Sequence, residues 1–258
     1  MRKCTIALLT LMILILAGCG QVEIASLWRT TDVSIDGKAD DWQGALYAIP
    51  DQPVLVGVRN DDQNVFLCLQ LNDPRAGGIL LRRGLIVWFD PAGGERKILG
   101  VKFPLGLRLT DFEGPGEEPR DRDDKDRLPR IDRDQVEILG PGRDELIRLK
   151  KDEIKGVEVA LENQGGRFVY ELKIPLARGA DIPYAAASAP GKILGIGFEQ
   201  PELEFPGFGR GGGGMGPGMG GRGGMGGRGG MGRDMGRGRG AEEPLKLWLK
   251  VTLATKPQ

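Results

Sequence analysis

Few side chains in this sequence are suited to covalent chemistry. It has no histidine, which excludes a Ser-His-Asp or Cys-His nucleophile pair, a histidine-bound zinc and a histidine-ligated haem. Two carboxylates can hydrolyse a glycoside, and Asp90, Glu199, Glu202 and Glu204 are available, but among 36 acidic residues no pair stands out. Asp121-Arg122-Asp123-Asp124-Lys125-Asp126 alternates carboxylates as a calcium site would. The interleaved Arg and Lys neutralise them, and no EF-hand glycine or terminal glutamate follows at the required spacing. Met215, Met219, Met225, Met231 and Met235 are soft thioethers suited to Cu(I), but they have no histidine or cysteine partner nearby. No catalytic residue, metal or cofactor is assigned, and the chain reads as a non-enzyme.

What remains is recognition. A sugar needs an aromatic face with polar groups beside it. Trp248 lies on the polar face of the last apolar-alternating segment, between Lys246 and Lys250, and is the first candidate for ligand stacking. Trp42 is the second, although the Asp36-Gly37 turn and the neighbouring Asp40 and Asp41 also suit a tryptophan that covers one end of a domain. Trp88 sits in a continuous apolar run and reads as core. Gly195 and Gly197 line one face of their segment while Leu194, Ile196 and Phe198 line the other. A strand face of glycines admits a close approach, by a ligand, by the glycine-rich tract or by Trp248 itself.

The elements that must position these residues are strands. Val54–Val58 and Leu85–Phe89 are short apolar runs of the kind covered on both faces. Period-2 alternation marks Val65–Asn72, Val157–Glu162, Arg167–Ile174 and Leu245–Leu253. Turn clusters separate them: Asn60-Asp61-Asp62-Gln63-Asn64, Asp90-Pro91-Ala92-Gly93-Gly94 and Gln164-Gly165-Gly166. A short helix is expected near Gly78–Arg82. The fold class is therefore all-β: an antiparallel, jelly-roll-like β-sandwich over 31–258 with two long low-complexity insertions. Residues 111–134 hold ten acidic and six basic side chains with three prolines, and 207–240 hold twenty glycines, six arginines and five methionines. Neither segment has the apolar content to offset the entropy of ordering it, so both are expected to be loops. Loop closure costs little more as loops lengthen, and a sandwich can carry them.

The first residues carry an address. Arg2 and Lys3 precede an apolar run from Ile6 to Leu16, too short for a comfortable membrane span. Leu16-Ala17-Gly18-Cys19 then resembles a bacterial lipobox. That resemblance implies a signal peptide over 1–18, cleavage before Cys19, and acyl chains on Cys19 that anchor a domain to a membrane, followed by a tether and first strand over 19–30. Gly20 after the cysteine, where an aspartate would resemble an inner-membrane retention signal, points to the outer membrane. Cys4 leaves with the signal, so Cys68 stays unpaired and is expected to be a small buried hydrophobe. The 36 basic and 36 acidic residues balance, which argues against a chain built to hold nucleic acid. The Arg-Gly pairs at Arg210-Gly211, Arg222-Gly223 and Arg228-Gly229 resemble RNA-binding segments, but an exported chain would not meet RNA.

Val33-Ser34-Ile35-Asp36-Gly37-Lys38-Ala39-Asp40-Asp41-Trp42 resembles the opening of domains similar to carbohydrate-binding module family 9. Val58-Arg59-Asn60-Asp61 leading to Val65-Phe66-Leu67, Gly84–Asp90, and Tyr170-Glu171-Leu172-Lys173-Ile174-Pro175-Leu176 resemble later motifs of that family, in order. The resemblance spans most of residues 30–200. It implies a β-sandwich that binds sugars without catalysis, through tryptophans stacked on the pyranose ring. The expected role is a membrane-anchored binding lipoprotein for a polysaccharide or another envelope component. The alternative is a structural or assembly lipoprotein that meets an envelope protein through its loops.

Overall fold

The computed structural model describes residues 21–107, 132–140, 146–202 and 244–257. Cys19, the signal segment, the acidic run at 121–126 and the 207–240 tract lie outside the described residues. Thirteen strands are present among the described residues: β1 (Val22–Ala25), β2 (Leu27–Trp28), β3 (Leu46–Ala48), β4 (Val54–Asn60), β5 (Asn64–Leu71), β6 (Ile86–Asp90), β7 (Leu99–Lys102), β8 (Gln135–Leu139), β9 (Leu146–Lys150), β10 (Glu158–Gln164), β11 (Arg167–Pro175), β12 (Ile193–Glu199) and β13 (Lys246–Thr252). They form two sheets, ordered β1-β13-β12-β6-β7-β8-β9 and β10-β11-β5-β4-β2, with β3 also paired to β4. The fold is a β-sandwich, antiparallel except for the edge pairs β1 with β13 and β2 with β4, which are parallel.

Period-2 patterning decides which side chains meet. Val87, Phe89, Leu194, Ile196, Phe198, Leu247, Leu249 and Val251 of one sheet face Val56, Val58, Leu67, Leu69, Tyr170 and Leu172 of the other in one continuous core. Burying each such side chain is worth about 1.5–3 kcal/mol. The outward residues of β5 are not solvated, contrary to simple alternation. The segment from Val33 to Leu46 crosses the outer face of the smaller sheet, and Val33, Trp42 and Ala45 pack on Phe66, Cys68 and Val169 in a second core. Cys68 is fully buried there, and burial, with the Glu171 charge nearby, pushes its thiol pKa far up.

The helix α1 spans Pro74–Arg83, longer than the short helix expected near Gly78–Arg82. Asp73 caps it by accepting the Arg75 N–H at 2.9 Å, and Pro74 occupies the first turn. Gly77 and Gly78 weaken its sequence signal, but a Cβ on Gly77 would stand 1.9 Å from the Phe168 ring. Glycine there lets α1 lie directly on β11.

Ser26 stands where the chain passes from the larger sheet into the smaller. Its hydroxyl donates to Asn60 Oδ1 and accepts from the Ala254 N–H at 2.8 Å. Asn60 Nδ2 donates to the Ala254 carbonyl at 3.0 Å. The N-terminal crossing, the end of β4 and the segment after β13 are thus tied at one point, and Asn60 has no exposed surface.

Candidate functional site

The larger sheet turns a row of residues outward across four strands. Gly100, Trp88, Gly197 and Trp248 stand side by side, because Trp88 pairs with Gly100 on one side and Gly197 on the other, and Gly197 pairs with Trp248. Each indole lies face-down on a neighbouring glycine. A Cβ at Gly197 would meet three ring atoms of Trp248 at 2.7–2.9 Å, and one at Gly100 would meet Trp88 ring atoms from 2.7 Å. Gly197 therefore receives Trp248. Gly195 receives something else: the Gly94 carbonyl, 2.0 Å from where its Cβ would be, so the β6–β7 loop runs over the sheet at that point.

Trp88 is buried at 6% exposure, but on the outer face and not between the sheets. Its Nε1 donates to Glu199 at 2.7 Å, Lys97 ion-pairs with the same carboxylate at 2.6 Å, and the Lys97 ammonium stands 5.4 Å from the Trp88 ring centroid. Trp248 is half-buried. The part of its indole left exposed lies between exposed Lys246 and half-buried Lys250 on the same strand face. Lys250 reaches Glu23 of β1 at 2.8 Å. Two concave features lie elsewhere: a cavity of about 130 Å³ that includes Val54, Leu71, Ala76, Ile79 and Leu245, and an open groove beside Ala187–Ile193. Neither includes an aromatic side chain in its lining.

Trp42 occupies a different place. It ends a single 3-10 turn, Asp40–Trp42, and has no exposed surface, so neither face of its indole is open to a sugar. Its Nε1 donates to Glu171 Oε1 at 2.6 Å. Glu171 Oε2 accepts the backbone N–H groups of Asp36 at 2.9 Å and Gly37 at 2.6 Å. Gly37 has φ of 78°, which glycine adopts without strain and which turns its N–H toward the carboxylate. The Asp-Gly turn, the tryptophan and the glutamate of the late strand are therefore one device. Burial raises the Glu171 pKa above the ordinary glutamate value, and the donors from Trp42, Gly37 and Asp36 offset only part of that.

The acidic residues considered for catalysis have structural partners. Asp90 has no exposed surface and accepts the Ala92 and Arg96 backbone N–H groups, each at 3.0 Å, and the Arg96 guanidinium at 3.1 Å. Burial alone would raise its pKa, but Arg96 and these N–H groups outweigh it and hold the carboxyl below the usual range. Glu199 is held by Trp88 and Lys97, as above. Glu202 is exposed, and Glu204 lies outside the described residues. No group of three or more Asp, Glu, Cys or His that could hold a metal is present among the described residues.

An all-β sandwich with an aromatic platform on an outer sheet face is what the geometry defines. No family model matches the sequence, and no curated protein matches it. Solved structures do resemble it. A carbohydrate-binding module of family 9 from Caldicellulosiruptor kristjanssonii in complex with glucose has 13% identity and a TM-score of 0.34, covering 70% of this chain and 79% of that one. The same module with cellotriose has 12% identity and a TM-score of 0.33, covering 72% and 78%. A proposed carbohydrate-binding protein from Bacteroides uniformis has 11% identity and a TM-score of 0.39, covering 70% and 84%.

Proposed function

We propose that this protein is a non-catalytic glycan-binding lipoprotein, anchored through Cys19 to the outer membrane, that receives a sugar on the outer face of the larger sheet at Trp248. The observation that carries the reading is the mounting of Trp248. One face of its indole is fixed on the Gly197 backbone, so little conformational entropy remains to be lost on binding, and its exposed part is flanked by lysine hydrogen-bond donors. A rigid aromatic surface with polar neighbours is what a pyranose ring, apolar on its C–H face and ringed by hydroxyls, can stack against. The sequence motifs from Asp36 to Pro175 support the same reading through the resemblance already described.

Titrating tryptophan fluorescence with glucose, cello-oligosaccharides and other oligosaccharides tests it. A saturable change is expected. Trp248→Ala should weaken binding at least about tenfold, because stacking and apolar burial together are worth roughly 1.5–3 kcal/mol. A flat response from folded protein across the panel would sink the glycan reading.

The anchor has its own test. Cys19→Ser in a bacterial host with lipoprotein processing is expected to move the protein from the membrane fraction to the soluble fraction and to abolish labelling by a fatty-acid analogue. Unchanged membrane association and labelling would overturn lipidation at this residue.

A further inference from the structure

The outer face that carries Trp248 has an uneven charge pattern. Its carboxylates are each matched: Glu23 by Lys250 at 2.8 Å, Glu199 by Lys97 at 2.6 Å, Asp90 by Arg96 at 3.1 Å, and Glu137 by Lys102 at 3.3 Å and by Arg148. Lys246 is exposed and has no ion pair among the described residues, although Glu199 stands opposite it in the β12–β13 register. That glutamate is already committed to Trp88 and Lys97. A cation with no ion pair among the described residues therefore stands two residues, roughly 7 Å, from the stacking indole. On the other side of Trp248, Lys250 is held by Glu23, whose side chain is 68% exposed. A surface pair of that kind is worth about 0–1 kcal/mol, so a ligand anion can take its place.

Resting on the Trp248 reading above, we infer that the platform takes an acidic polysaccharide, one whose sugars carry carboxylates as uronic acids do. The sugar ring stacks on Trp248 and the carboxylates of that ring or its neighbours meet Lys246 and Lys250. A neutral glycan would gain the stacking and hydrogen bonds from the lysines but bring Lys246 no counter-charge. The chemistry that separates the two ligand classes is thus the lysine pair, and the indole serves both.

Calorimetric titration of the whole chain with oligogalacturonate and with cellotriose, at about 20 mM and about 150 mM salt, separates the possibilities. Oligogalacturonate is expected to bind at least fivefold more tightly at low salt, with the preference shrinking at high salt. Lys246→Ala should weaken oligogalacturonate binding by about two- to fivefold more than it weakens cellotriose binding, and Lys246→Glu should remove the preference. Lys246 is exposed, so these variants fold even if Trp248→Ala does not. Cellotriose bound as tightly as oligogalacturonate, and lost in Trp248→Ala, would overturn the acidic preference and leave the platform standing as a neutral-sugar site. Oligogalacturonate binding that survives both Trp248→Ala and Lys246→Glu would place the contact on other cations, such as the six arginines of 207–240, and overturn the inference. Binding of neither sugar by folded protein would overturn both readings.

Discussion

Replacing Glu171 by glutamine is expected to lower stability by about 3 kcal/mol, with a fall in melting temperature of several degrees. The buried carboxylate accepts the Asp36 and Gly37 N–H groups through Oε2 and the Trp42 indole N–H through Oε1. A glutamine amide has only one acceptor oxygen. Its NH₂ must point either at the indole N–H or at the two backbone N–H groups, leaving buried donors facing a donor, and each such group costs about 1–3 kcal/mol. The loss should also depend on pH. Burial holds the Glu171 pKa above the ordinary glutamate value of 4.5, so the folded state binds the proton more tightly than the unfolded chain. The stability this group contributes is full below about 4.5 and declines as pH rises through the raised value. The protonated acid keeps acceptor oxygens on both sides. The gap in melting temperature between the native protein and Glu171→Gln should therefore be widest near pH 4 and narrow toward pH 7. A scan of both proteins across that range checks it, and a gap that widened with pH would contradict the assignment of Glu171 as a carboxyl disfavoured by burial.

The second large effect is expected at Gly195. An alanine methyl there would stand 2.0 Å from the Gly94 carbonyl oxygen and 3.0 Å from its carbonyl carbon, and a backbone cannot swing away as a flexible side chain can. Either β12 shifts or the β6–β7 loop lifts. That loop is held by Asp90 through Ala92 and Arg96, so lifting it exposes a buried carboxylate. Overpacking of this kind costs about 1–3 kcal/mol and sometimes more, and Gly195→Ala should lie at the upper end. Urea unfolding measures the loss. A midpoint within experimental error of the native protein would show that the loop does not rest on the sheet at this point.

Most of the fold was legible in the sequence because strand patterning and turn residues are local signals. β4, β5, β6, β10, β11, β12 and β13 all coincide with apolar runs or period-2 segments. β7, β8 and β9 were not read. They are four or five residues long, and β8 and β9 adjoin segments rich in charge and turn residues, so alternation had no length in which to show. β1, four residues long, and β2, two residues long, acquire their meaning only by pairing with β13 and β4. The helix was underestimated because Gly77 and Gly78 depress local propensity, and the reason for Gly77 is the Phe168 ring, which is 91 positions away in the chain. The same limit applies to the site. Trp248 on a polar strand face was visible from alternation. That Gly197 is its seat, and that Gly195 faces a different object, depends on cross-strand register. Trp42 and Glu171 were each visible inside a motif, but their hydrogen bond joins residues 129 positions apart, which no local pattern records.

The parallel pairing of β1 with β13 sets the order of events during synthesis. Val22 lies beside Leu249 and Ala25 beside Thr252, and the Ser26–Asn60–Ala254 knot lies just beyond. An edge of the larger sheet cannot close until β13 has been made and reaches the first strand, at a separation of 227 positions. Contacts of such long range are entropically late and slow. A nascent chain therefore has no finished sandwich until its last strand has been made.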